Sequence, residues 1–193
     1  MSKGLMIVLG FVVVLVIVAL MIGGSFIGAK NTMVIKDEAV RNAWSDVDTQ
    51  LQRRADLIPN LVETVKGFTK EESGVFGEIA EARKGYMNAQ TPQDKMAANG
   101  QIDQALTKLL VVAENYPQLK SNEQFLRLQD ELAGTENRIT VARRRYNDTL
   151  RDYNTYVRQF PNSIWAGIAG FQAKEDAYFK ASEAAKTVPS VKF

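Results

Sequence analysis

The residues that could do chemistry in this chain are carboxylates and arginines. Asp46 with Asp48, Glu71 with Glu72, and Glu78 with Glu81 are close acidic pairs. The helical di-metal sites that use such carboxylates complete them with Glu-x-x-His pairs. The chain has no histidine, and it also has no cysteine. Thiolate nucleophiles, disulfides, Cys/His metal sites and the usual imidazole base are therefore excluded. Acidic neighbours on an amphipathic helix read as its wet face. Arg53-Arg54 and Arg143-Arg144-Arg145 are the notable basic runs. They also read as solvated faces, with salt bridges to acidic partners or contact with anionic lipid headgroups as the alternatives. The sequence has no glycine-rich phosphate loop and no serine or lysine in a nucleophile arrangement. The expectation is a protein that is not an enzyme, without catalytic, cofactor-binding or metal-ligating residues.

The chain has 193 residues, with Lys+Arg 24 against Asp+Glu 22 and a net charge of +2. That near balance argues against nucleic acid as a partner. The charges are unevenly placed, since residues 4–29 carry none. Their core, residues 5–22, is almost wholly Val, Leu, Ile, Met, Phe and Ala, with Leu5, Val14 and Ile22 along it. A run of this length spans a bilayer as a helix, because backbone polar groups in lipid must be satisfied internally. The alternative is a cleaved signal peptide, which has a shorter apolar region and an A-x-A-like exit. Here the exit is Gly23-Gly24-Ser25-Phe26-Ile27-Gly28-Ala29, small but still apolar. Lys3 before the run, and Lys30, Lys36 and Arg41 after it, determine orientation poorly. A signal-anchor reading places the following domain outside.

The elements after the anchor are helical. Val40, Trp44, Val47 and Leu51 recur at steps of four, three and four. No stop separates Ala29 from Val34, so the first helix is expected to continue out of the membrane. Pro59 is expected to break or kink it. A second helix is expected to carry Leu61, Val65, Phe68, Ile79, Ala82 and Tyr86. Thr91-Pro92-Gln93-Asp94 is a helix start with Thr as N-cap and Pro at the first position. It opens a third helix with Ile102, Leu106, Leu109 and Val112, ending near Tyr116-Pro117. Ser121-Asn122-Glu123-Gln124 offers a capping box for a fourth. There Phe125, Leu128, Leu132, Thr135, Ile139, Ala142, Tyr146, Thr149, Tyr153, Tyr156 and Phe160 alternate by three and four, giving five heptads on one long helix. Pro161 stops it. An uncharged stretch, residues 162–171, reads as a loop folded onto the bundle or a plug docking on another subunit or a membrane interface. A short helix is expected over residues 173–185, then an extended tail. The fold class is all-α: an anchor (1–29), a long-helix four-helix bundle (30–160), and an apolar loop, short helix and tail (161–193).

Several motifs resemble the LemA family. They include Ala43-Trp44-Ser45-Asp46-Val47-Asp48, then Gln52-Arg53-Arg54-Ala55-Asp56-Leu57-Ile58-Pro59-Asn60-Leu61-Val62, and Glu114-Asn115-Tyr116-Pro117-Gln118-Leu119. Tyr146-Asn147-Asp148, Tyr153-Asn154, Phe160-Pro161-Asn162 and Pro189-Ser190-Val191-Lys192-Phe193 match too. Ala55 stands where the family commonly has histidine. The resemblance implies one N-terminal membrane helix, a bundle of mirror-variant, bromodomain-like up-and-down topology, and a bacterial envelope protein without an established activity.

The functional expectation is a structural or scaffolding protein of the bacterial inner (cytoplasmic) membrane, single-pass, with its domain on the periplasmic side. Its expected partners are the lipid bilayer and further copies of itself in a homo-oligomer, with other envelope proteins left open. Arg143, Arg144, Tyr153, Tyr156, Trp165 and Phe171 are the candidate subunit or partner contacts. The rival reading is a monomeric tethered module, or signalling adaptor, that docks a separate protein.

Overall fold

The computed structural model describes residues 3–69 and 71–179, and among them there is no strand. The order is α1 (Lys3–Lys66), α2 (Ser73–Asn88), α3 (Pro92–Glu114), α4 (Pro117–Lys120), α5 (Glu123–Arg158), α6 (Asn162–Ala169) and a 3-10 turn (Glu175–Ala177). Of the expected helix over 173–185, residues 173–179 are described and hold only that 3-10 turn, while its remainder and the tail lie outside the described residues.

α1 leaves the charge-free segment without interruption, as expected, but Pro59 does not break it. A proline deprives the carbonyl four residues back of its donor. That carbonyl belongs to Ala55, and Arg83 Nε of α2 donates to it at 3.0 Å. The side-chain donor replaces the missing backbone one, so the helix continues to Lys66. Leu61 and Val65, expected on the second helix, are thus buried residues of α1. The chain turns instead at residues 67–72.

α3 starts as expected. Thr91 Oγ1 accepts from the Asp94 N–H at 3.1 Å, with Pro92 at the first helical position. At the start of α5 the cap shifts by one residue from the expected Ser121. Asn122 Oδ1 accepts the Phe125 N–H at 3.0 Å.

The chain forms two compact units, each drawing on distant stretches of sequence: residues 1–41 with 148–176, and residues 42–147 with 177–193. In the second, the later part of α1, α2, α3 and the earlier part of α5 pack as a bundle. Val47, Leu51, Ile58 and Leu61 of α1, Phe76, Ile79 and Tyr86 of α2, Ile102 and Leu109 of α3, and Phe125 and Ile139 of α5 are buried there. In the first unit, Met33 and Val40 of α1, Leu150, Tyr153 and Val157 of α5, and Ala166 of α6 are buried.

On the heptad stripe of α5, Phe125, Leu128, Thr135, Ile139, Tyr146 and Tyr153 are buried and Leu132 and Ala142 half-buried, and in the later half the buried set drifts. Leu150 and Val157 are buried where strict heptads put Thr149 and Tyr156, both of which are half-buried. A straight helix turns at 3.6 residues, so a 3.5 repeat slips sideways by about 20° per heptad. Phe160 lies beyond the helix end and is 83% exposed, so it is not part of the seam.

The uncharged stretch forms a helix, α6, and not the expected loop. Gly170 closes it with φ +78°, donating its N–H to Ala166 O. That left-handed conformation is one that only glycine adopts without strain.

Candidate functional site

Two arrangements carry the functional argument, one in each unit. In the first, the apolar segment of α1 has nothing packed on it. Val14 and Ile22 are about half exposed, as are most large apolar residues from Met6 to Ile22. Exposed side chains of this kind over so long a helix are satisfied only by lipid. The side chain of Leu5 lies outside the described set. Burial begins only at Ala29 and Met33.

Above that segment the first unit builds a collar. Trp165 of α6 meets Phe26 of α1 edge to face, with ring centroids 5.7 Å apart. Tyr153 is buried and donates to Gln172 O at 3.0 Å, and burial, with Asp37 nearby, raises its pKa. Lys174 lies 5.2 Å from the Tyr153 ring centroid and pairs with Asp37. Asp37 also binds Arg41 at 3.1 Å. Lys36 sits 5.6 Å from the Tyr156 ring centroid. Phe171 is half-buried, with its N–H donating to Ala166 O at 2.9 Å. Of the six candidate contacts, Tyr153, Tyr156, Trp165 and Phe171 are therefore gathered in one unit and engaged with its own residues. Arg143 and Arg144 lie in the other unit.

The collar depends on two asparagines whose part the sequence reading did not isolate. Asn154 is fully buried and forms two bonds with the backbone of Lys174. In the second unit Asn147 does the same to Phe179, donating to its carbonyl and accepting its N–H, each at 2.9 Å. A carboxamide offers one donor and one acceptor side by side, so it can replace a backbone partner for a segment that has none. The signal was the Tyr-Asn pair repeated seven residues apart, at 146–147 and 153–154.

In the second unit, Arg54 is buried, which corrects the reading of Arg53-Arg54 as a wet face. It lies on the stripe that includes Leu51 and Ile58, and this spacing was the missed signal. Its guanidinium pairs with Asp103 of α3 at 2.7 Å and with Glu136 of α5. Asn99 Nδ2 donates to Asp103 Oδ2 at 3.1 Å. Burial raises the Asp103 pKa, against the opposing pull of Arg54 and Arg143. Arg143 is half-buried, which corrects the solvated-face reading of the Arg143-Arg144-Arg145 run at this position. Its guanidinium lies 5.0 Å from the Phe179 ring centroid, and burial lowers its pKa. Phe179 stacks on Trp44 at 6.0 Å, and Tyr146 meets both rings edge-on. Arg144 is exposed.

The Arg54 network opens into a cavity of about 320 Å³ walled by Leu61, Leu106, Leu110 and Leu132. A carboxyl group with a raised pKa in a cleft is a feature of functional sites, but structural ion-pair networks produce it too. Here each carboxylate faces an arginine. Among the described residues there is no group of three or more His, Cys, Asp or Glu placed to hold a metal ion.

A family model for the LemA family matches residues 43–193. The chain belongs to the LemA family. This LemA-family chain is 27% identical over 183 residues to magnetosome protein MamQ 2 of Paramagnetospirillum magneticum, covering 81% of this chain and 66% of that relative. It is 24% identical over 183 residues, at the same coverages, to magnetosome protein MamQ of Magnetospirillum gryphiswaldense. Protein LemA of Metamycoplasma hominis is 24% identical over 157 residues, covering 78% of this chain and 72% of the relative. The chain thus spans just under two thirds of the length of these MamQ relatives. The motif Gln52 to Val62, which includes Arg54, falls inside the matched region, as do Asn147 and Asn154. With its apolar first helix and these relatives, the LemA-family chain is membrane-anchored.

Proposed function

We propose that this LemA-family chain is a non-enzymatic scaffold of the bacterial envelope, held in the inner membrane by α1 with its helical domain on the periplasmic side, and that it self-assembles laterally into a homo-oligomer. The observation that supports this reading most is the unbroken course of α1 from its lipid-exposed segment into the buried positions Ala29, Met33 and Val40. No flexible linker intervenes, so each protomer emerges from the membrane the same way. Confinement to a plane raises the effective concentration of one protomer for another, and even a weak side-to-side contact then suffices for assembly. Light scattering on the detergent-extracted full chain tests the proposal. A mass of several protomers supports it, and a monodisperse monomer overturns it.

A second reading, a monomeric tethered adaptor, is favoured by one feature. The leucine-walled cavity beside Arg54 and Glu136 could receive an apolar side chain of a partner with charged flanks. Crosslinking in membranes separates the two, since self-crosslinks favour the scaffold and crosslinks to one distinct protein favour the adaptor.

A further inference from the structure

The geometry points to α6 as a second membrane contact: a short interfacial helix whose face of Ile164 and Ile168, with Phe160 before it, lies in the lipid at the exit of α1. Three observations place it there. First, these residues are 52%, 66% and 83% exposed, although they are among the most apolar outside the anchor. On α6, Ile164 and Ile168 are four apart and share a face, while Ala166 is buried and Trp165 half-buried against the unit.

Second, no charge interrupts this surface. Residues 159–173 carry none, and charge returns only at Arg158 and Lys174, which pair with Glu175 and Asp37. A water-facing surface helix would be expected to carry charge on its outer side.

Third, the Trp165–Phe26 contact fixes the depth. Phe26 belongs to the charge-free run of residues 4–29, and the first ionisable residue after it, Lys30, comes about 6 Å further along the axis. The run is about 39 Å long at 1.5 Å per residue, against a hydrocarbon core of about 30 Å. A ring touching Phe26 therefore sits at the boundary of hydrocarbon and headgroups, where tryptophan is favoured. Beside Phe26, Ile27 is also exposed, so the lipid-facing surface of α1 reaches the level of α6. The occupant this argues for is the bilayer that α1 already crosses, reached by an amphipathic helix lying at its surface.

The absence of cysteine allows a direct test on the full chain. Ile164→Cys and, separately, Ile168→Cys are labelled with an environment-sensitive fluorophore. The protein is then placed in vesicles of phosphatidylethanolamine and phosphatidylglycerol. Both positions are exposed, so the fold should tolerate the change. A lipid carrying a nitroxide high on its acyl chain should quench both labels, and aqueous iodide should quench them several-fold less than a label at Asp148→Cys. Asp148 lies about 15 Å before the end of α5. Two results would overturn the inference: iodide quenching equal to the control, or labels shielded from both quenchers while the unlabelled Ile164→Cys variant forms 164-to-164 disulfides between copies on mild oxidation. The readout does not depend on oligomer size, so a monomeric particle would sink the scaffold proposal and leave this one standing.

Discussion

Asn154 and Lys174, twenty residues apart, are joined by two hydrogen bonds. The Lys174 N–H donates to Asn154 Oδ1 at 2.8 Å, and Asn154 Nδ2 donates to the Lys174 carbonyl at 3.3 Å. The bonds hold the strand-free segment after α6 along α5, where it has no helical partners of its own. Together with the Tyr153 hydroxyl on Gln172 O and the Lys174–Asp37 pair, this side chain ties the membrane-proximal collar shut.

Replacing Asn154 with Leu keeps the volume and removes both bonds. A buried backbone group left without a partner costs about 1–3 kcal/mol, and water can reach the half-buried Lys174, so a loss of about 2 kcal/mol is expected. Thermal unfolding of the extracted protein measures it. Trypsin should also cut after Lys174 much faster in the variant. Unchanged cleavage would mean the segment is held by other contacts.

Arg54 should be far more sensitive than its neighbour Arg53. Arg54→Met leaves Asp103 and Glu136 without their shared cation. Breaking a fully buried pair costs about 3–5 kcal/mol. Here the carboxylate side chains are 40% and 45% exposed, so water offsets part of the loss. The expected cost is about 2 kcal/mol, against almost none for Arg53→Met. Denaturant melts of the two variants compare them, and equal midpoints would remove the network from any structural role.

The raised pKa of Asp103 predicts a pH signature. Its folded-state value lies above the ordinary 3.8. Between the two values the folded protein binds more protons than the unfolded one, so the contribution of this group to stability falls as pH rises through that window. Asp103→Asn lacks the titration. The Tm of the native chain minus that of the variant should be highest in acid and decline as pH is raised from about 4. A flat difference would contradict the assignment.

The drift of the α5 seam makes a paired prediction. Leu150 is fully buried, whereas Thr149, on the strict heptad, is half-buried. Leu150→Ala should destabilise by about 2–4 kcal/mol through cavity formation, and Thr149→Ala by under 1 kcal/mol. Phe160→Ala should leave thermal stability of the extracted protein unchanged, because its ring touches little of the fold. Calorimetry that reversed the order of Leu150 and Thr149 would restore the heptad reading.

The sequence by itself determined the all-helical class, the lipid-facing first segment and the long α5, because apolar periodicity and charge-free length are local properties that any packing must respect. It also fixed the start of α3, where Thr91, Pro92 and Asp94 act within one turn. Only the tertiary structure decided what depends on a distant partner. Pro59 sits inside a helix because Arg83, from another helix, supplies the donor it lacks. Arg54 is core because Asp103 and Glu136 arrive from α3 and α5 to meet it. The uncharged stretch becomes α6, set at the depth of Phe26 by the contact of Trp165. In each case the free energy of the residue is set by a group more than twenty positions away, and a reading of neighbours cannot supply that term.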